Sequence, residues 1–314
     1  VYATRPFEEE IKMQTQLCPS DYEENGYVVF RNLIPLELID NLLEIYNQEI
    51  VTSTTPFFRQ STGTYEVNHL NEFGYVTQSF LDIHDYEKYS RFSKAAKEIF
   101  CSKKIQEALK QITGYESFNL MQTMLFDANT ETQAHQDWWY LDSVPNGYLT
   151  GIWIALEDIN EKAGRFYVIP KTNKNPDFHS DKPNISLSEW LERIKEYVSS
   201  HQQDIMAPEL KKGDVLCFNS KTIHGSLSTI SSRFSRKSLT AHYIPQGYQF
   251  GNLFTTKNYI KYKTYKGVQF YRNKPDFSLM NDWKLKGKSF FYNSPILLKI
   301  LRQVYSKLLR MKSK

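Results

Sequence analysis

A chain of 314 residues with 40% hydrophobic and 24% charged residues can bury a full core, which excludes a disordered polypeptide. Its formal net charge of +4, from 39 basic and 35 acidic side chains, is too small for a general polyanion binder, so no nucleic-acid partner is expected. Cys18, Cys101 and Cys217 are scattered, odd in number and in no ligand spacing, which excludes a disulfide framework and a thiolate zinc site and suits a reducing, cytoplasmic setting.

Residues 1–19 read as an N-terminal extension, acidic where a signal peptide would need an apolar run. Gly26-Tyr-Val-Val-Phe-Arg reads as a short strand, and after Pro35 the residues Leu38, Ile39, Leu42, Leu43 and Ile45 recur at helical spacing. Residues 52–89 are polar, aromatic and aperiodic, with Phe57, Phe58, Arg59, Asn68 and His69. A long irregular segment of this kind is a candidate cover for an active site. Helical patterning returns over 93–112.

From residue 117 the pattern becomes β. Strands are expected at 119–126, 134–140, 149–156 and 165–169, and again at 214–218 and 237–244. Between the two groups, Ser186 and Glu189 form a capping-box pattern ahead of Trp190, Leu191, Ile194 and Val198, which predicts an inserted helix. Lys and Tyr alternate over 259–271, a pattern suited to sugar stacking or to a solvated extension. Residues 294–314 combine Ile, Leu and Val at helical spacing with interleaved Lys and Arg. Such a basic amphipathic helix can lie on an anionic membrane surface, on its own domain or on a second subunit.

The sharpest chemical feature is His135-Gln-Asp137. Residues i and i+2 of a strand project to one face, so this imidazole and carboxylate can share a metal ion. His224, at the end of the strand pattern that begins at Gly213, is the candidate third ligand. Two His and one carboxylate leave three metal positions open, as non-haem Fe(II) oxygenases require. Arg233 and Arg236 follow, and a guanidinium there can clamp a dicarboxylate.

The ordered set His135-Gln-Asp-Trp-Trp-Tyr-Leu, Gly151-Ile-Trp-Ile-Ala-Leu-Glu-Asp-Ile, Ala163-Gly-Arg-Phe-Tyr-Val-Ile-Pro, Gly213-Asp-Val-Leu, and His224-Gly-Ser with Arg236-Lys-Ser-Leu resembles the phytanoyl-CoA dioxygenase family of Fe(II)/2-oxoglutarate-dependent oxygenases. The resemblance implies a mainly β fold with flanking helices (α+β) and a double-stranded β-helix, the cupin-like jelly roll. That domain would occupy 20–245, with 246–314 as a C-terminal extension. It further implies iron ligation by His135, Asp137 and His224, and capture of the distal 2-oxoglutarate carboxylate by Arg236 and Ser226. Gln122 and Trp153 would line the cosubstrate pocket. The implied cofactors are Fe(II), 2-oxoglutarate and O2, and the implied reaction hydroxylates an aliphatic C–H bond with release of succinate and CO2. Asp137 stands where related halogenases carry a small residue, which favours hydroxylation.

Candidate substrate-facing residues are Arg59, His69, Trp139, Tyr140 and Arg165. The expected substrate is a small molecule or a lipid-linked sugar, with lipopolysaccharide sugars such as Kdo among the candidates, on a protein that is cytoplasmic or peripheral to the cytoplasmic membrane face. The chain departs from the family pattern at Lys171-Thr-Asn, where a Gly-Ser-His turn is usual, and the spacing after His224 leaves Arg233 beside Arg236 as a clamp. The rival readings are a zinc-dependent jelly-roll enzyme and a non-catalytic binding module.

Overall fold

The structure, a computed structural model, describes residues 19–178, 186–252, 256–257 and 260–271. It opens with α1 (Pro19–Asn25), β1 (Tyr27–Phe30) and α2 (Leu36–Ile45), the last continuing as a wider π-helical turn over Tyr46–Val51. The irregular segment that follows holds only the two-residue strands β2 (Phe57–Phe58), β3 (Tyr65–Glu66) and β4 (Phe80–Leu81). The helical pattern over 93–112 resolves into two helices, α3 (Ser90–Phe100) and α4 (Lys103–Thr113). Ser102 causes the break, because its hydroxyl accepts from the Ile105 amide at 3.3 Å and caps the second helix.

The remaining elements are β5 (Phe118–Phe126), β6 (Asp142–Val144), β7 (Thr150–Ala155), β8 (Phe166–Val168), α5 (Leu187–Ser200), β9 (Val215–Asn219), β10 (His224–Ser226), β11 (Ser238–Pro245), β12 (Gln249–Gly251), β13 (Tyr262–Tyr265) and β14 (Val268–Tyr271). The main sheet runs β1-β9-β7-β11-β5-β14-β13, with β4 also on β5. A shorter layer, β8 paired with β10, faces it across Trp153, Phe166, Val168, Leu216 and Phe218. This is the jelly-roll arrangement of two opposed sheets. The capping box at Ser186 and Glu189 forms as the spacing predicts and starts α5.

One face of the main sheet packs on α2, α3 and α4 through residues such as Leu239, Ala241 and Tyr243 of β11. The alternate residues Ser238, Thr240 and His242 therefore point the other way, toward the β8–β10 layer. A bulge in the β5–β11 register between His242 and Tyr243 leaves Met121 unpaired and changes the parity of β5 there. Beyond it Gln122, Met124 and Phe126 share the inward face.

The described residues past 245 pair with the domain. β12 pairs with β6, and the β13–β14 hairpin, built from the Lys–Tyr alternation, joins the main sheet by a parallel pairing of β14 with β5. The basic helix expected at 294–314 lies outside the described residues. Among the described residues no helix is long and apolar enough to cross a membrane, and Cys101 and Cys217 are buried and free.

Candidate active site

The segment 134–140, expected as a strand, makes a single β-bridge and then turns. His135 and His224 exchange backbone hydrogen bonds of 3.0 Å in both directions, bringing together two residues far apart in sequence. Gln136 stays extended, its side-chain amide donating to the Lys221 carbonyl and accepting from the Trp138 indole at 2.9 Å. The chain then winds into a 3-10 turn over Asp137–Trp139. Regular pairing stops because these side-chain bonds and the Tyr140 amide, which donates to the Asp137 carbonyl at 2.7 Å, take over the backbone. One extended residue between His135 and Asp137 is enough to put both on one side.

The His135 Nε2 lies 3.5 Å and the His224 Nε2 3.6 Å from Asp137 Oδ1. One ligand atom from each of the three residues can be chosen so that all lie within 4.8 Å of one another. Each imidazole is oriented from behind: His135 Nδ1 donates to the Gln133 carbonyl at 2.8 Å and His224 Nδ1 to the Thr222 carbonyl at 2.9 Å. These bonds put the protons on Nδ1 and leave both Nε2 lone pairs aimed at one point. Burial alone would raise the Asp137 carboxyl, but the imidazoles of His242, His224 and His135 hold it well below the usual carboxylate range. Burial, helped by neighbouring His135, pushes His224 down to about 4, so it is a neutral ligand near pH 7. Burial works against the charged form of His135, but the adjacent Asp137 carboxylate raises its pKa above the ordinary histidine value, so binding an ion there displaces a proton. Two imidazoles and one ionised carboxylate form a donor set that fits a divalent ion.

These groups open into a cavity of about 480 Å3. Arg236, two residues ahead of β11, lines it and is buried. Its Nη1 donates to the Ser226 hydroxyl at 2.7 Å and the Gly164 carbonyl at 3.2 Å, and its guanidinium lies 5.7 Å from the Phe126 ring and 6.0 Å from that of Trp153. Among the described residues no carboxylate pairs with it, and its Nε has no hydrogen-bond partner. Burial lowers its pKa to about 9, which leaves it charged. A buried cation without a counter-ion at the wall of a cavity fits an incoming carboxylate. Arg233 is exposed and outside the cavity.

Gln122, Trp153, Ser226 and Tyr140 also line the cavity, and the Tyr140 ring sits 6.0 Å from that of His135. Four other candidates lie elsewhere. Trp139 is buried against Trp190 with ring centres 5.0 Å apart. Arg59 is buried and donates to the Ser79 carbonyl at 3.1 Å and Asn68 Oδ1 at 2.6 Å, so its charge braces the irregular segment. His69 is exposed and meets Gln78 Nε2 at 3.2 Å, one side chain removed from the cavity. Arg165 is half-buried and outside the lining.

Sequence reasoning overlooked His242, whose Nε2 is 3.1 Å from Asp137 Oδ2, and Thr240 beside it. The signal was present in β11. Arg236, Ser238, Thr240 and His242 recur at period two between Leu239, Ala241 and Tyr243, which is a polar face on a fully buried strand.

A family model for phytanoyl-CoA dioxygenase matches residues 22–238. The chain belongs to the phytanoyl-CoA dioxygenase family. That family falls within the non-haem iron, 2-oxoglutarate-dependent oxygenases, whose cofactors are Fe(II), 2-oxoglutarate and O2. Human peroxisomal phytanoyl-CoA dioxygenase is 26% identical over 237 residues, and the match covers 71% of this chain and 66% of the human protein. Phytanoyl-CoA dioxygenase 1 of Oryza sativa subsp. japonica is 31% identical over 124 residues, covering 36% of this chain and 39% of that protein. The chain thus spans just under two thirds of the human relative's length.

Among solved structures, the epimerase SnoN in complex with Fe3+, alpha ketoglutarate and nogalamycin RO is similar with a TM-score of 0.54 at 14% identity, covering 76% of this chain and 86% of SnoN. EctD from S. alaskensis with 2-oxoglutarate and 5-hydroxyectoine gives a TM-score of 0.53 at 15% identity, covering 80% and 82%. At these identities the likeness establishes the shared jelly-roll core.

Proposed function

We propose that the chain is an Fe(II)- and 2-oxoglutarate-dependent hydroxylase of an aliphatic C–H bond in a small-molecule substrate, with a sugar or lipid-linked sugar as the leading class. The observation that carries this reading is one cavity in which two oriented Nε2 atoms and a carboxylate oxygen converge beside a buried, unpaired guanidinium. His135, Asp137 and His224 hold the iron, and Arg236 with Ser226 binds the distal carboxylate of 2-oxoglutarate. When bound, the metal and cosubstrate supply the oxidising chemistry with O2, and 2-oxoglutarate leaves as succinate and CO2.

The protein's own work is positional. The Nδ1–H bonds to Gln133 and Thr222 keep both imidazoles in the ligating tautomer. The indole of Trp153 and the rings of Phe126, Phe166 and Phe218 exclude water from the inner cavity. Gln122 stands beside the cosubstrate route on β5. Toward the outer cavity, Gln60, Ser61, Thr77, Gln78, Thr130 and Thr132 present amides and hydroxyls, which suit a hydroxyl-bearing substrate, and Tyr140 offers a ring face. A zinc hydrolase or a binding module on the same fold would have no use for Arg236 buried unpaired at the cavity wall.

Anaerobic addition of Fe(II) and 2-oxoglutarate to metal-free protein is expected to produce a metal-to-ligand charge-transfer absorption. It should disappear in His135→Ala and in Asp137→Ala. No band in the unaltered protein, or a band that survives both substitutions, would overturn the assignment. Succinate release screened against neutral sugars, acidic sugars, lipid-linked glycans and acyl-CoA thioesters then identifies the substrate class.

A further inference from the structure

We infer that His242 is a positioning residue that restricts Asp137 to metal ligation through Oδ1 alone, an inference that rests on the iron-site reading above. The two oxygens of Asp137 have different surroundings. Oδ1 faces His135 Nε2 at 3.5 Å and His224 Nε2 at 3.6 Å, whereas Oδ2 faces His242 Nε2 at 3.1 Å. An ionised carboxylate can only accept, so the close approach of His242 is favourable with the proton on its Nε2, although at this geometry the pair makes an ion-pair contact and not an aligned hydrogen bond. A carboxylate that also ligated through Oδ2 would take one of the three metal positions that cosubstrate and O2 need. The His242 imidazole, standing 3.1 Å from Oδ2, holds that oxygen on its own side of the carboxylate.

The strand register fixes His242 in this place. On β11 it pairs with Gln122 of β5 on one side and Gly151 of β7 on the other, and it is only 6% exposed. Gly151 matters because a Cβ there would stand 2.3 Å from Phe218 Cζ. Without it, the Phe218 ring settles 4.4 Å from His224 and 6.5 Å from His242, walling the imidazoles that surround Asp137.

The test uses the full chain, metal-free, with Fe(II) affinity measured anaerobically against a competing chelator and 2-oxoglutarate chelation read from the charge-transfer band. His242→Ala and His242→Leu, the second filling the space with an apolar side chain, are expected to weaken Fe(II) binding about 10–100-fold and to dim the band. His242→Gln, whose Nε2 reaches as the imidazole Nε2 does, is expected to restore most of both. Melting of the metal-free variants separates folding from ligation, and whichever apolar variant folds supplies the comparison. Unchanged affinity in a folded apolar variant, or a Gln variant no better than Ala, overturns the role of His242. Failure of the unaltered protein to bind Fe(II) would instead overturn the iron-site reading itself.

Discussion

Leaving a guanidinium buried without a carboxylate costs several kcal/mol, and Arg59 offsets that cost with the Ser79 carbonyl and Asn68 Oδ1 inside the irregular segment. Arg236 differs in facing the cavity, with Ser226 and Gly164 holding one edge of its fork and Nε left open. Replacing it by Met keeps the length and apolar stem while removing the charge. Arg236→Met is expected to weaken 2-oxoglutarate binding by at least about 30-fold, the equivalent of roughly 2 kcal/mol for a lost buried charge pair. Fe(II) binding without cosubstrate should be unchanged, because the guanidinium's hydrogen bonds go to Ser226 and Gly164 and not to the three candidate metal-binding side chains. Parallel titrations with and without 2-oxoglutarate check both halves, and equal losses in the two would assign Arg236 to structure. His84 carries a different residue-level prediction. Its Nε2–H donates to the Tyr271 carbonyl at 3.0 Å, its Nδ1 meets the Thr123 hydroxyl at 2.7 Å, and burial lowers its pKa from 6.5 to about 4. Between those values the unfolded chain binds the proton and the native chain does not. Stability is therefore fully present above pH 6.5 and falls as pH drops toward 4, by about 3 kcal/mol for this one group. Urea unfolding at pH 7.5 and 4.5 should show this loss, and His84→Gln should remove the share of His84 while that of His224, lowered in the same way, remains.

Strands β7, β9 and β11 meet the cavity at successive levels, and their packing sets how closely the histidines are walled. Gly151→Ala would drive a Cβ into the Phe218 ring from within a central strand. Overpacking of this kind costs about 1–3 kcal/mol, and moving Phe218 also loosens His224, whose ring it touches. The expected outcome is a lowered melting temperature together with weaker Fe(II) binding, while Gly147→Ala, outside the cavity lining, changes neither metal affinity nor the charge-transfer band. The strands themselves were legible in the amino-acid pattern because alternation and apolar runs report burial directly, as at 119–126 and 237–244. The break at Ser102 was hidden inside an unbroken apolar repeat, since capping is decided by one hydroxyl. The turn at Asp137–Trp139 was hidden for a related reason. Three aromatic residues in a row read as β, while the bonds that end the strand come from Gln136 and from Lys221, distant in sequence. Arg59 and Trp139 were legible as unusual residues but not by role, because an arginine bracing a loop and one binding substrate have the same local sequence.

At the level of the whole molecule, the candidate metal-binding side chains come from two places joined by one bridge. His135 and Asp137 lie ahead of β6, His224 opens β10, and the backbone link between them is the pair of bonds at His135 and His224. Everything between, including β7, β8, α5 and β9, is enclosed by that link. An ion bound to all three side chains therefore closes a long loop of the folded chain, and its binding energy becomes folding energy. A ligand present at about 100 times its Kd adds about 2.7 kcal/mol to stability. For a domain of this size that corresponds to a rise in Tm of about 5–10 °C. Thermal unfolding with saturating Co(II), which avoids oxidation during heating, should show this rise, and adding 2-oxoglutarate should increase it further if Arg236 and the metal share the ligand. Asp137→Ala should melt without any response to Co(II), and Arg236→Met should respond to the metal but not to 2-oxoglutarate. A rise that persists in Asp137→Ala would mean the ion binds elsewhere on the chain, and the convergence of His135, Asp137 and His224 would then have a purely structural cause.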